Sequence, residues 1–162
     1  APNGCSLMLG KIKRTTADGH FSNCVRLRAK WSCQRCETSY EDQNRQGLQC
    51  SHLIGRGHLA VRFDPLNALS LCTKCHIDVT AHPMMHIQLW REIHGSVYGA
   101  DRGDVELNAL LARAACGERS VYAKENEKAI ADYYRETFKE LKEYYEATEG
   151  EDTYEFQSCT YR

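Results

Sequence analysis

No apolar stretch in this sequence approaches the roughly 18–20 residues that a helix needs to cross a bilayer, so we expect no membrane partner. The sequence does not begin with Met, and its first nine residues lack the basic segment and long apolar run of a signal peptide. We therefore expect a trimmed or truncated beginning. There is no internal repeat and no low-complexity linker. A chain of 162 residues can form one domain with a core, or a small domain with a helical extension.

The nine cysteines cannot all form disulfides, because at least one would stay unpaired. Four of them make two Cys-x-x-Cys pairs, Cys33 with Cys36 and Cys72 with Cys75, which are separated by 35 residues. Each pair offers two thiolates from one tight turn, so the two pairs fit one tetrahedral zinc ion. Such a site is closed, and it would stabilise the fold rather than activate water. The spacing favours a reduced, cytoplasmic protein over a secreted one.

A simpler interpretation is that these are ordinary buried cysteines that happen to have this spacing. Cys50 could serve as a fifth ligand, although packing within a hairpin is the favoured role. The other cysteines have neither pairing nor metal spacing and are expected to be plain thiols: Cys5, Cys24, Cys116 and Cys159.

The formal net charge of −1 hides an asymmetry between the two parts of the chain. Residues 1–100 hold twelve Lys and Arg against seven Asp and Glu, whereas residues 101–162 hold nine against fifteen. The basic part is a plausible footprint for phosphates, although a solvated basic face without a partner would have the same composition. The candidate DNA contacts are Arg26, Arg28 and Lys30 on the first predicted helix, and Arg56, His58 and Arg62 around a predicted hairpin.

The apolar pattern predicts a short helix over residues 20–31, then two strands, then mainly helices. The strands are expected at Leu48 to Ile54 and Leu59 to Phe63, followed by a helix that begins near Thr73. Later helices are expected at Met84 to His94 with its end at Gly95, at Asp104 to Ala115, and at Tyr122 to Ala147. This order predicts four regions, namely a basic N-terminal arm at 1–19, a zinc-bound core at 20–96, a helical extension at 97–148 and a frayed tail at 149–162.

His52 and Asn67 lie between the two Cys pairs, and His76 directly follows the last Cys. Hydrolysis of a phosphodiester needs a base that deprotonates the attacking water, and a neutral imidazole at His52 suits that role. The amide of Asn67 can bond to the backbone near His52 and hold its ring in orientation. His76 can bind a divalent cation beside the scissile phosphate. A single His is more often structural, but this set in this order predicts a nuclease.

The Cys pairs with the internal His52, Asn67 and His76 resemble the HNH, or His-metal finger, endonucleases. More narrowly, residues 20–145 resemble the phage NinG (Rap) recombination endonucleases. The shared stretches are Phe21-Ser-Asn-Cys-Val-Arg-Leu-Arg28, His52-Leu-Ile-Gly-Arg-Gly57 followed by Val61-Arg-Phe-Asp64, and the less specific Glu127-Lys-Ala-Ile130 and Phe138-Lys-Glu-Leu-Lys142. The resemblance implies an α+β fold, with a zinc-stabilised, treble-clef-like ββα-metal nuclease core and a helical C-terminal extension. The implied activity is metal-assisted cleavage of branched recombination intermediates such as D-loops and four-way junctions.

Two positions depart from the family pattern. Family members tend to carry Asn where this chain has His76, and many HNH enzymes have an Asp metal ligand where this chain has Ser51. The catalytic Mg²⁺ or Mn²⁺ would therefore be held by His76 with waters and the phosphate, and His82 and Ser51 are further candidate ligands. A His-weighted site raises the expectation that Mn²⁺ outperforms Mg²⁺.

Two other functions stay open at this point. The chain could be an HNH endonuclease that acts on linear duplex DNA, or a zinc-stabilised DNA-binding module without catalysis, which Ser51 favours. The acidic C-terminal helices are expected to brace the nuclease unit or to form a homodimer interface.

Overall fold

The computed structural model describes residues 12–41, 45–116, 126–150, 155–157 and 159 of the chain. This part is a mixed α+β arrangement of five α-helices and one two-stranded antiparallel sheet. The elements run in the order α1 (Thr16–Arg28), β1 (Leu48–His52), β2 (Ala68–Cys72), α2 (Thr73–Ala81), α3 (Pro83–Tyr98), α4 (Ala100–Cys116) and α5 (Glu127–Ala147). Short 3-10 turns lie at Arg45–Gly47, Leu59–Val61 and Pro65–Asn67.

Helix α1 begins earlier than the sequence predicts. The Thr15 hydroxyl accepts the backbone N–H of Asp18 at 3.3 Å, and the Asp18 carboxylate accepts the backbone N–H of Thr15 at 2.7 Å. This capping box starts the helix at Thr16, so residues 16–19 of the expected basic arm form its first turn. Residues 1–11 of that arm lie outside the described residues.

Strands β1 and β2 form a hairpin that pairs Leu48 with Cys72 at one end and His52 with Ala68 at the other. The first five residues of the strand expected at Leu48 to Ile54 are confirmed. The second expected strand, at Leu59 to Phe63, is wrong, because the segment begins with a 3-10 turn. Residues 61–63 are all buried, which a strand with alternating faces would not allow on a half-exposed sheet.

The downstream helices match the sequence pattern in number and order. Helix α2 begins at Thr73 as expected, but α3 continues beyond its expected end at Gly95 to Tyr98. Gly95 lies instead at a close approach of α3 to α4, where a Cβ added to Gly103 would lie 3.6 Å from the Gly95 Cα. Residues 122–125, expected to start the last helix, lie outside the described residues. None of the described helices has both the length and the apolar character needed to cross a membrane.

Helices α1 and α5 pack along each other at the centre of the hydrophobic core. The ring of Phe21 meets the ring of Tyr134 edge to face, with centroids 5.0 Å apart, and meets Phe63 in the same way at 5.8 Å. Tyr134 is fully buried, and its hydroxyl donates to the carbonyl oxygen of Phe63 at 2.5 Å. The regions expected as a core at 20–96 and an extension at 97–148 therefore share one hydrophobic core.

Candidate metal centre and candidate active site

The two Cys pairs come together in space. The Sγ atoms of Cys33, Cys36, Cys72 and Cys75 all lie within 4.8 Å of one another, and those of Cys36 and Cys72 are 3.9 Å apart. Four thiolates at about 2.3 Å from one zinc ion would stand about 3.8 Å apart, so the cluster has the size of a tetrahedral site. Its four sulfur donors could hold a metal ion, and soft thiolates fit zinc.

Two hydrogen bonds of Gln34 connect the cysteine cluster to the hairpin. The N–H of Gln34 donates to the Ser70 carbonyl oxygen at 2.8 Å, and the Gln34 side-chain oxygen accepts the N–H of Ser70 at 2.8 Å. Hydrogen bonds from Thr38 lower the pKa of Cys36 to about 6, whereas burial raises the pKa of Cys75 to about 12. A cation at the centre would favour the thiolate form at all four positions.

His52 occupies the last position of β1, where the sequence predicts a general base. Its Nε2 lies 2.9 Å from the carbonyl oxygen of Arg62, which can only accept, so Nε2 carries the proton and Nδ1 keeps a lone pair. Burial, with a smaller effect of the positive charge on Arg56, lowers the pKa of His52 to about 4. The imidazole is therefore neutral at pH 7.

Asn67 is fully buried and holds the loop that follows His52. Its Oδ1 accepts the N–H of Ile54 at 2.8 Å, while its Nδ2 donates to the carbonyl oxygens of Ile54 at 2.9 Å and Val61 at 2.8 Å. The Asn67 carbonyl oxygen also accepts the N–H of Leu53 at 2.8 Å. The amide thus bonds to the backbone of the loop that follows His52.

His76 lies in the first half of α2 and contacts β1. Its Nδ1 is 2.5 Å from the Oε1 of Gln49, and the Nε2 of Gln49 donates to the Thr73 hydroxyl at 3.3 Å. Because the amide oxygen accepts, Nδ1 of His76 carries the proton and Nε2 is left to bind a cation. Burial lowers the pKa of His76, which favours the neutral, metal-binding form.

The two further candidate ligands have different surroundings. Ser51 is fully buried, and its Oγ has no hydrogen-bond partner among the described residues. Side chains alternate along a strand, so Ser51 shares one face of β1 with Gln49, the partner of His76. The His82 side chain is 60% exposed, and its Nδ1 lies 2.9 Å from the carbonyl oxygen and 3.3 Å from the carboxylate of Asp78. The structure thus engages His82 with Asp78, while Ser51 faces the side of His76.

No protein-family model matches this chain, and no curated protein or solved structure is detectably similar to it. The structure establishes a mixed α+β fold with a cysteine cluster that could bind a metal. Any function has to follow from the arrangement of the side chains.

Two of the arginines expected to contact DNA are used inside the protein. Arg28 donates to the carbonyl oxygens of Pro65 at 3.0 Å and Ala68 at 2.7 Å. Arg62 is only 8% exposed, and its guanidinium makes two bonds to the Asp18 carboxylate, at 3.0 and 2.6 Å. Guanidinium groups held in this way are not available to a phosphate, so both residues are structural rather than DNA contacts.

Arg26 and Lys30 are also engaged with the protein. Arg26 donates to the carbonyl oxygen of Leu48 at 3.1 Å and to the side chain of Asn23 at 2.6 Å. Lys30 donates to the carbonyl oxygen of Gly150. The remaining candidates are His58, which is exposed, and Arg56, whose side chain is 34% exposed and lies 4.0 Å from the Asp18 carboxylate.

Sequence reasoning missed Gln49, which orients His76, and did not assign a role to Gln34, which binds the first Cys pair to β2. The available signal for Gln49 was its position two residues before Ser51, which puts both polar side chains on the same face of the strand. No local signal could reveal Gln34, because its partner Ser70 is 36 residues away.

Proposed function

We propose that this protein is a metal-dependent DNA endonuclease with an HNH-type ββα-metal site. The observation that carries this proposal is the pair of neutral histidines on one hairpin-helix unit. The ring nitrogen with a free lone pair is Nδ1 in His52 and Nε2 in His76. Hydrolysis of a phosphodiester needs a base for the water and a cation for the developing charge, and we assign the first role to His52 and the binding of the cation to His76.

His52 would act as the general base. Its Nδ1 would take a proton from the attacking water, while the bond from Nε2–H to the Arg62 carbonyl oxygen would hold the ring and stabilise the imidazolium that forms. With a pKa of about 4, His52 is fully available at pH 7 but is a weak base. A bound phosphate beside the ring would raise this pKa, because a negative charge favours the imidazolium.

His76 would hold the divalent cation through Nε2, with Gln49 fixing the orientation of its ring. When bound, the cation supplies charge stabilisation to the phosphate and the leaving oxygen. Imidazole is a softer ligand than a carboxylate, so Mn²⁺ is expected to support faster cleavage than Mg²⁺. Arg56, which is partly exposed and close enough to His52 to affect its pKa, is the basic residue best suited to contact a phosphate there.

We propose branched DNA as the substrate, because residues 20–145 resemble the NinG (Rap) family. The test uses the zinc-loaded full-length protein with a labelled four-way junction and a matched linear duplex, in Mg²⁺, Mn²⁺ or EDTA. Metal-dependent cuts confined to the junction would support the proposal. Equal cutting of the duplex would keep the nuclease and reject the preference for branches. No cutting in any metal would reject the nuclease.

Ser51, where many HNH enzymes have an acidic ligand, favours a second candidate, a zinc-stabilised DNA-binding module without catalysis. Such a module would bind DNA with a strong dependence on salt and would cut neither substrate. The internal use of Arg26, Arg28 and Arg62 counts against it, because binding by charge alone needs free basic side chains.

A further inference from the structure

We infer that His86 is a second protein ligand of the divalent cation held by His76, and that the Ser51 hydroxyl completes the protein donors. This inference rests on the proposed nuclease function and names the ligand set of its cation. His86 lies on α3, outside the segment between the Cys pairs that carries the HNH-like pattern.

Two buried polar atoms lack partners on this side of the hairpin. His86 is 5% exposed and Ser51 is 0% exposed, yet neither the His86 Nε2 nor the Ser51 Oγ has a hydrogen-bond partner among the described residues. Leaving a buried polar group unsatisfied costs about 1–3 kcal/mol, and folded proteins seldom do so without a reason. A cation that accepts lone pairs from both atoms would satisfy them.

The packing of α3 directs His86 toward the hairpin. His86 precedes Trp90 by one turn, so both side chains lie on the same buried face of the helix. The Trp90 Nε1 donates to the carbonyl oxygen of Leu66 at 2.6 Å, just before β2 begins. Within β2, Leu69 is paired with Ser51. His86 therefore lies on the face of α3 that packs toward the start of β2.

His86 is also a neighbour of His76. Helices α2 and α3 pack against each other and are separated only by His82, whose carbonyl oxygen accepts the N–H of His86 at 3.2 Å. Burial lowers the pKa of His86, and the nearby His76 lowers it further. The two imidazoles therefore lie within electrostatic reach of each other.

This donor set has a chemical preference. Two imidazoles and a hydroxyl bring no negative charge, whereas Mg²⁺ prefers carboxylates and its own waters. The site should therefore select a transition-metal cation such as Mn²⁺, and three protein donors would leave positions for water and a phosphate oxygen.

The test measures Mn²⁺ binding to the zinc-loaded full-length protein separately from cleavage. Mn²⁺ is paramagnetic and competes poorly for thiolates, so zinc stays in the cysteine cluster. We expect Mn²⁺ to broaden the imidazole NMR signals of both His76 and His86. His86→Gln should weaken Mn²⁺ binding by at least about tenfold. The matched control, Gln88→Ala at an exposed residue of the same helix, should leave Mn²⁺ binding unchanged.

An unchanged Mn²⁺ affinity in a folded His86→Gln protein, or broadening at His76 without broadening at His86, would overturn the inference even if the protein cuts DNA. Binding at both histidines by a protein that never cuts DNA would uphold the ligand set and reject the nuclease. If His86→Gln does not fold, the broadening measured in the wild-type protein decides.

Discussion

The Nδ1 of His76 lies 2.5 Å from the side-chain oxygen of Gln49, a residue on β1 three positions before His52. An amide oxygen can only accept, so this contact fixes the tautomer of His76 and leaves Nε2 with its lone pair. The other end of the Gln49 amide is held by Thr73 at the start of α2. The hairpin thus orients a potential metal ligand on the neighbouring helix.

Gln49→Leu should weaken both Mn²⁺ binding and metal-dependent cleavage by about 10–100-fold, the usual effect of removing a residue that orients a metal ligand. Isothermal titration and single-turnover cleavage measure the two effects. Gln88→Leu is the control, because Gln88 is exposed on α3 and bonds to Glu92 in the same helix. Equal affinities in wild type and Gln49→Leu would mean that another group orients His76.

Removal of the cysteine-bound metal should unfold the protein, because the site binds two distant segments and its binding free energy contributes to folding. Cys33→Ser is expected to lose zinc and to show no cooperative thermal transition. Cys50→Ser, outside the cluster, should keep both. Zinc content and thermal melting by circular dichroism are the measurements. A Cys33→Ser protein with one bound zinc and the wild-type transition would show that the four cysteines do not form a zinc site.

Arg62→Met should lower the free energy of unfolding by about 3–5 kcal/mol, because it removes the closest positive charge from the buried Asp18 carboxylate. Arg56→Met should change stability by less than about 1 kcal/mol, since Arg56 is partly exposed. Arg56→Met should also weaken DNA binding. It should reduce the slope of the logarithm of the binding constant against the logarithm of the salt concentration by about one. Urea unfolding and DNA titrations at several salt concentrations separate the two roles. A large loss of stability in Arg56→Met, together with weakened DNA binding but unchanged stability in Arg62→Met, would contradict these two roles.

Stability should fall as the pH falls from 7 to 5. Burial lowers the pKa of both His52 and His94 to about 4, whereas the unfolded chain has ordinary values near 6.5. Between these values the unfolded state binds more protons, so stability is complete above about pH 7 and is lost toward pH 4. Each pKa unit corresponds to about 1.4 kcal/mol, which predicts a loss of roughly 2–4 kcal/mol by pH 5.

Urea unfolding at pH 7 and pH 5 tests this prediction, with zinc content measured at both values because protonated thiolates release the metal. His94→Gln should show a clearly smaller loss than wild type, since one of the buried imidazoles with a lowered pKa has been removed. Equal stability at the two pH values, with zinc retained, would contradict the lowered pKa values.

The sequence predicts the features that depend on local spacing. The Cys-x-x-Cys pairs, the position of His52 at a strand end and the start of α2 at Thr73 are all of this kind. It fails at Leu59 to Phe63, where a short apolar run suits a strand as well as a turn that buries consecutive residues. Burial of the run alone does not distinguish the two.

The basic residues show a second limit of sequence reasoning. A cluster of Arg and Lys predicts a phosphate-binding face, but Arg28 and Arg62 find partners 37 to 44 residues away in the chain. Such partners depend on tertiary packing, and no local pattern reveals them. His86 was missed for the same reason, because its surroundings are set by the packing of α3 against α2 and the hairpin.

The most direct test of the central claim is single-turnover cleavage of a labelled four-way junction in Mn²⁺ by His52→Ala, compared with wild type and with His58→Ala. The proposed role of His52 predicts that His52→Ala binds the junction normally but cuts it at least about a hundredfold more slowly. His58→Ala, at an exposed candidate DNA contact, should at most weaken binding of the junction and should cut the bound junction at a rate close to wild type. Wild-type cleavage by His52→Ala would contradict the assignment of His52 as the general base.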